Sequence, residues 1–96
     1  MNDAQKIFKA LSDTTRFKII YFLLSGEKCV CQIFPYVKRT QSTTSIQLKK
    51  LENLGIIASR RDGKWIYYRI KNTRICGVLK ASGIKGEFTC MKKVER

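Results

Sequence analysis

No histidine occurs among the 96 residues. That absence removes imidazole-based catalytic triads, zinc fingers with His ligands and every carboxylate–histidine metal site. Proline occurs once and glycine six times, all scattered singly, so no linker divides the chain and one domain over residues 1–96 is expected. No apolar run approaches the roughly 18–20 residues that cross a bilayer, and no membrane partner is expected. The opening MNDAQKIFKAL carries acid and lacks the basic start, apolar stretch and small-residue cleavage site of a secretory signal. A cytoplasmic protein is therefore expected, with its four cysteines, Cys29, Cys31, Cys76 and Cys90, reduced rather than joined in a disulfide framework. No general base, nucleophile pair or phosphate loop is visible, so no enzyme is expected. With 44% hydrophobic residues the chain can bury a core, and no cofactor is expected to be required for folding.

Acidic residues are the other scarcity. Seven stand against twenty Lys and Arg, a formal charge of +13. Such an excess adds nothing to a fold and costs self-repulsion; its usual partner is a polyanion, most often nucleic acid. Residues 1–28 hold five bases and three acids, residues 29–64 seven and two, and residues 65–96 eight and two. The polyanion should meet the middle and C-terminal parts.

Apolar periodicity outlines the elements. Ile7, Phe8 and Leu11 form one stripe of a helix over residues 4–11. Asp13 can cap a second, Thr14 to about Leu24, with Phe17, Ile20, Leu23 and Leu24 turned inward. A third is expected over Val30 to Val37, kinked or shortened by Pro35. Thr40 can cap a fourth that runs to about Leu54, burying Thr44, Leu48, Leu51 and Leu54 and closed by Gly55. Ile56–Arg61 and Lys64–Lys71 read as strands joined by an Asp62-Gly63 turn. A last helix is expected near Thr73 with Ile75, Val78 and Leu79. Four helices, a hairpin and a helix make a mainly α fold with a small β-hairpin: a winged helix-turn-helix.

In that arrangement the second helix of the pair lies in the major groove of double-stranded DNA. Gln41 can pair with adenine, Ser42 and Ser45 can donate or accept, and Ile46 can touch a thymine methyl. Lys38, Arg39 and Thr40 stand at the helix entrance, where backbone contacts fall, and Lys49 reaches for phosphate further along. Arg60, Arg61 and Lys64 surround the turn and make the wing cationic. Trp65 and Tyr67 are expected to plug the core rather than stack on bases.

IFKALSDTTRFKIIYFLLSGEKCVCQIF resembles the N-terminal half of the ArsR/SmtB family of metal-sensing repressors, with its KALSDPTR turn and later GE-x-CVC-x-L. TQSTTSIQLKKLENLGII resembles that family's recognition helix and SRRDGKWIYYRI its wing, so the likeness covers about residues 7–71. The resemblance implies a homodimer paired through its first and last helices. It also implies repression of a resistance or homeostasis operon from a pseudo-palindromic operator, with release by an inducer. Four departures stand out. Thr14 replaces a frequent proline. Ile46-Gln47 replaces a frequent Arg-His, so the operator sequence does not carry over. Phe34 occupies the place of a third cysteine found in one type of arsenic sensor. The histidine site of the zinc sensors' last helix cannot form.

Cys29 and Cys31 then become the expected sensor. Residues i and i+2 on a regular helix point roughly 200° apart, so both sulfurs reach one ion only if the helix starts late or unwinds there. A helix N-terminus and Lys28 are expected to lower the thiol pKa. Soft thiolates select a thiophilic effector, arsenite or antimonite first, a soft divalent metal ion otherwise. Cys90 is the expected third ligand and Cys76 its alternative, from either subunit. Two other readings stay open: the same DNA-binding repressor as a thiol redox or persulfide sensor, and a winged helix serving protein interaction or RNA binding.

Overall fold

The computed structural model describes residues 2–84. Asn2 caps the first helix, α1 (Asp3–Leu11), in a reciprocal pair: the Gln5 amide donates to Asn2 Oδ1 at 2.8 Å, and the Asn2 amide donates back to Gln5 Oε1 at 3.0 Å. α1 buries Ile7 and Ala10 and leaves Leu11 half-buried. Phe8, expected on the inner stripe, is 62% exposed. It lies about 100° round the helix from Ile7, and the stripe that packs inward is only wide enough for the i, i+3, i+4 positions.

Asp13 caps α2 (Thr14–Leu23), accepting from the Arg16 amide at 3.1 Å. This helix is the centre of the molecule: Ile19, Ile20 and Leu23 are buried, with Leu24 just after them, and α1, α3, α4 and the sheet all pack on it. Strand β1 (Lys28–Cys29) follows, too short to have left a period in the sequence, and leads without a loop into α3 (Val30–Val37). Pro35 sits inside α3 without shortening it. In an eight-residue helix only the last four amides have intrahelical acceptors, and Pro35 forfeits one of those bonds. Lys38 ends the helix in the left-handed region at φ 57°, the sole non-glycine residue so placed among the described residues.

Two residues later Thr40 caps α4 (Gln41–Asn53), accepting from the Thr43 amide at 3.1 Å, and Gly55 at φ 76° turns the chain out of it. Strands β2 (Ile57–Asp62) and β3 (Trp65–Ile70) form the wing, and β1 pairs on the far side of β3, giving an antiparallel sheet in the order β1-β3-β2. Asp62 pairs with Trp65, so the turn is Gly63-Lys64, one residue later than expected. Gly63 has φ 64° and Lys64 has no positive φ, a pattern that needs glycine at the first central position and leaves Asp62 in the strand. Trp65 is 46% exposed rather than a core plug, because at the first residue of β3 it stands beside the turn, beyond the helices that cover the sheet.

The last helix, α5 (Arg74–Ala81), buries Ile75, Cys76 and Leu79. Its start is tied to α1: Asn72 Nδ2 and Arg74 Nη1 donate to the two carboxylate oxygens of Asp3, each at 2.9 Å. No helix among the described residues is long and apolar enough to cross a membrane. The architecture is the expected winged helix-turn-helix, with an added short strand.

Thr44 is fully buried on the inner face of α4, and its hydroxyl has no hydrogen-bond partner. A buried unsatisfied hydroxyl costs free energy that a methyl group does not. Thr44→Val should stabilise the chain by about 1 kcal/mol, raising the thermal midpoint by about 4–8 °C in circular dichroism. A lowered midpoint would mean that the hydroxyl is bonded in solution.

Candidate nucleic-acid interface and thiol pair

Packing of Thr44, Leu48 and Leu51 against α2 and β2 decides which side of α4 faces out. Gln41, Ser42, Ser45, Ile46 and Lys49 all lie on the exposed side, Ile46 at 55%. Lys38, Arg39 and Thr40 are exposed in the turn before it. Arg39 also holds the turn to α2, its Nε donating to Thr15 Oγ1 at 3.3 Å.

One residue of this region escaped the sequence reading. Arg16 donates from Nη1 to Gln47 Oε1 at 2.8 Å, from Nη2 to the Lys9 carbonyl at 3.1 Å and from Nε to the Ala10 carbonyl at 3.4 Å. It satisfies carbonyls at the end of α1 and pins the flank of α4 in one guanidinium fork. The signal available in the sequence was an arginine in the first turn of α2, three residues after its cap Asp13.

The wing separates its three expected cations. Arg60 pairs with both carboxylate oxygens of Glu27, at 2.9 and 2.8 Å, and stacks over the Tyr67 ring with 4.6 Å to the centroid. Its bond to Glu27 raises the guanidinium pKa further. Arg60 is therefore a partnered residue back from the tip, whereas Arg61 and Lys64 are exposed next to the turn.

Cys29 is both the last residue of β1, opposite Tyr67, and the N-cap of α3, with extended backbone at φ −71° and ψ 146°. Standing before the first helical residue, it escapes the 200° separation of a regular helix. Its sulfur folds back over the first turn, accepts from the Cys31 amide at 3.4 Å and lies 2.8 Å from the Cys31 sulfur, which donates to it. The Cys29 amide donates in turn to Gln32 Oε1 at 2.9 Å, completing a capping box built on cysteine. Cys29 is buried and Cys31 exposed, and both are free thiols.

The Cys31 thiol pKa is raised, not lowered as expected. Its bond to the Cys29 sulfur favours the protonated form, with smaller contributions from desolvation and from Cys29 charge, and the backbone N–H only partly opposes them. The Lys28 ammonium donates to Ser25 Oγ at 2.9 Å and lies 5.1 Å from the Phe22 ring centroid, and it is not among the contributions to this shift.

Cys76 departs from the expectation of reduced thiols: it is fully buried and disulfide-bonded, so its sulfur is no thiolate ligand. A compartment argument bears on the thiol pool, not on which sulfurs a fold brings within bonding distance. Cys90 lies outside the described residues. Among the described residues no group of three or more His, Cys, Asp or Glu side chains gathers as a metal site.

Residues 13–59, from the cap of α2 into the first wing strand, match the arsR family of bacterial regulatory proteins. The chain belongs to this family. It is 45% identical over 74 residues to a cadmium resistance transcriptional regulatory protein, a CadC homolog of Staphylococcus aureus, covering 76% of this chain and 61% of that protein. It is 38% identical over 65 residues to the arsenic resistance transcriptional regulator ArsR2 of Pseudomonas putida, covering 67% of this chain and 56% of that one. The arsR-family chain thus spans about three-fifths of the length of these curated relatives. The transcriptional repressor BigR of Xylella fastidiosa superimposes with a TM-score of 0.78 at 30% identity, over 83% of this chain and 82% of that one. A homodimeric winged helix-turn-helix domain of Mycobacterium bovis, a possible ArsR-family regulator, does so at 0.74 and 27%, over 84% of this chain and 75% of that one.

The thiol pair depends on Gln32, whose side chain holds the Cys29 amide. Gln32→Ala should destabilise the fold by about 1 kcal/mol, read as a lower midpoint in denaturant, and Gln32→Glu should restore most of it because a carboxylate suits the same capping position. Equal midpoints for the alanine variant and the parent would rule the capping box out as a stabilising contact.

Proposed function

We propose that this arsR-family chain is a homodimeric, cytoplasmic, DNA-binding transcriptional repressor. It leaves a pseudo-palindromic operator when Cys29 and Cys31 take a thiophilic ion, arsenite or antimonite ahead of a soft divalent metal such as cadmium. The observation that carries this reading is the convergence of the two sulfurs at the N-cap of α3, on a residue that also belongs to the wing sheet. Two soft donors on one side of a helix end suit a metalloid that accepts two or three sulfurs. Cadmium commonly takes three or four, which brings in a second subunit. The relatives named for cadmium and for arsenic resistance support an effector of this class.

The chain's own residues then do the following work. Gln41, Ser42, Ser45 and Ile46 meet base edges, and Lys38, Arg39, Thr40, Lys49, Arg61 and Lys64 meet phosphate. When the Cys29 sulfur is drawn to an ion, the Cys31 amide loses its acceptor and the first turn of α3 loosens. The disturbance passes to α4 through a turn of three residues and to the wing through Tyr67. Pairing of two chains through α1 and α5 is supported by the exposed Phe8 ring, by the Asp3 bonds that join these helices, and by the homodimeric solved relative. A two-fold dimer matches a two-fold operator. The disulfide at Cys76 favours a second reading, thiol redox or persulfide sensing on the same frame.

Fluorescence anisotropy of the reduced protein on duplex DNA from upstream of its own gene separates these readings. Release by arsenite, antimonite, cadmium or lead under full reduction supports the ion sensor, and release by a thiol oxidant without metal supports the redox sensor. Cys29→Ser should bind the duplex as the parent does and fail to release it; release retained in this variant removes Cys29 from the site. Arg61→Ala combined with Lys64→Ala should weaken binding across sequences and lower the salt slope by about two. An unchanged slope would mean that the wing tip does not touch phosphate.

A further inference from the structure

Between α3, the turn after it and the tip of the wing lies a groove of about 610 Å³. Lys38 and Arg39 from the turn and Lys64 from the wing line it, and no acidic residue does. Phe34 and Trp65 give it apolar walls, Trp65 with the Lys64 ammonium 5.8 Å from its ring centroid. Arg39 spends its Nε on Thr15, which leaves the outer nitrogens of its guanidinium for another acceptor. Gln41, the first residue of α4, closes one end, so the groove is continuous with the face that would read bases. Cys31 is exposed and lines the same groove.

We propose that this groove seats one sugar–phosphate strand of the duplex, and that Cys31 lies inside the DNA footprint. The inference rests on the DNA-binding reading above and deepens it. Three cations without a counter-charge suit phosphate, apolar walls suit deoxyribose, and a space of this size far exceeds what a bare ion fills. Effector and DNA then exclude each other in one place. An ion held by Cys29 and Cys31 intrudes on the strand's seat, and a bound strand covers the thiol that would capture the ion. Release is a local competition, added to whatever the loosened cap of α3 transmits. Reciprocity follows: DNA must weaken effector binding by the factor by which effector weakens DNA binding.

Alkylation of the full native chain tests this. Reduced protein is treated with N-ethylmaleimide with and without saturating duplex, glutathione in the same tube reporting remaining reagent, and Cys31 is resolved from Cys29 by fragment-ion mass spectrometry. Anisotropy on the same samples gives the bound fraction. At about 90% saturation Cys31 should react about tenfold more slowly, following the free fraction, and salt that strips the duplex should restore the rate. Trp65 is the sole tryptophan, so its shielding from acrylamide by duplex gives a second reading on unmodified protein. An undiminished Cys31 rate on protein that anisotropy reports as bound overturns the shared groove and leaves repression with release through α3 standing. Failure to bind duplex in the anisotropy arm overturns the DNA-binding reading, and the groove proposal with it.

Discussion

Cys29 has to satisfy two geometries at once. As a strand residue it pairs with Tyr67 in β3, and as an N-cap it lends its sulfur to the Cys31 amide and its own amide to Gln32. Extended backbone at φ −71° and ψ 146° is compatible with both roles, and no intervening loop absorbs an error between them. The wing sheet and the start of the helix-turn-helix therefore meet at one residue. Arg60 reinforces the joint from outside, reaching from β2 to Glu27 just before β1. An exposed ion pair of this kind contributes little to stability. Its value here is geometric, since it keeps the wing against the segment that carries the thiols.

Capping, periodicity and turn chemistry are local, and what they govern was legible. Asp13, Thr40 and Gly55 mark the ends of α2 and α4 by their own side chains or lack of one, and the outward face of α4 follows from Thr44, Leu48 and Leu51. What depended on distant partners was not legible. Whether Phe8 or Trp65 is buried depends on what covers it, and an aromatic residue type says nothing of its neighbour. Glu27 and Arg60 are 33 residues apart, and Arg16 and Gln47 are 31 apart, so no spacing rule could join them. The convergence of Cys29 and Cys31 turned on a single residue of helix start, finer than periodicity resolves. The two-residue β1 is shorter than any pattern.

The same contacts sort the positive charge. Of the cations set near the expected DNA face, Arg60 has an acidic partner in Glu27, while Lys38, Arg39, Lys49, Arg61 and Lys64 stand exposed without a counter-charge among the described residues. Charge that is already paired attracts a polyanion less and is less free to rearrange around it. A formal count of +13 therefore overstates what a duplex would feel, and the distribution of partners says where it would feel the remainder.

The bond from Arg16 to Gln47 adds a directional contact to the apolar packing of α4. Apolar contacts fix how closely α4 packs but are not directional, whereas a hydrogen bond is. Gln47 lies on the flank of α4, and a fork that also grips two carbonyls of α1 holds that flank at one angle. A glutamine of a type suited to reading adenine is thus occupied in aiming its neighbours. The Gln47 side-chain oxygen is already taken by Arg16 in the free protein, which a code assigned to α4 by helical position alone would overlook.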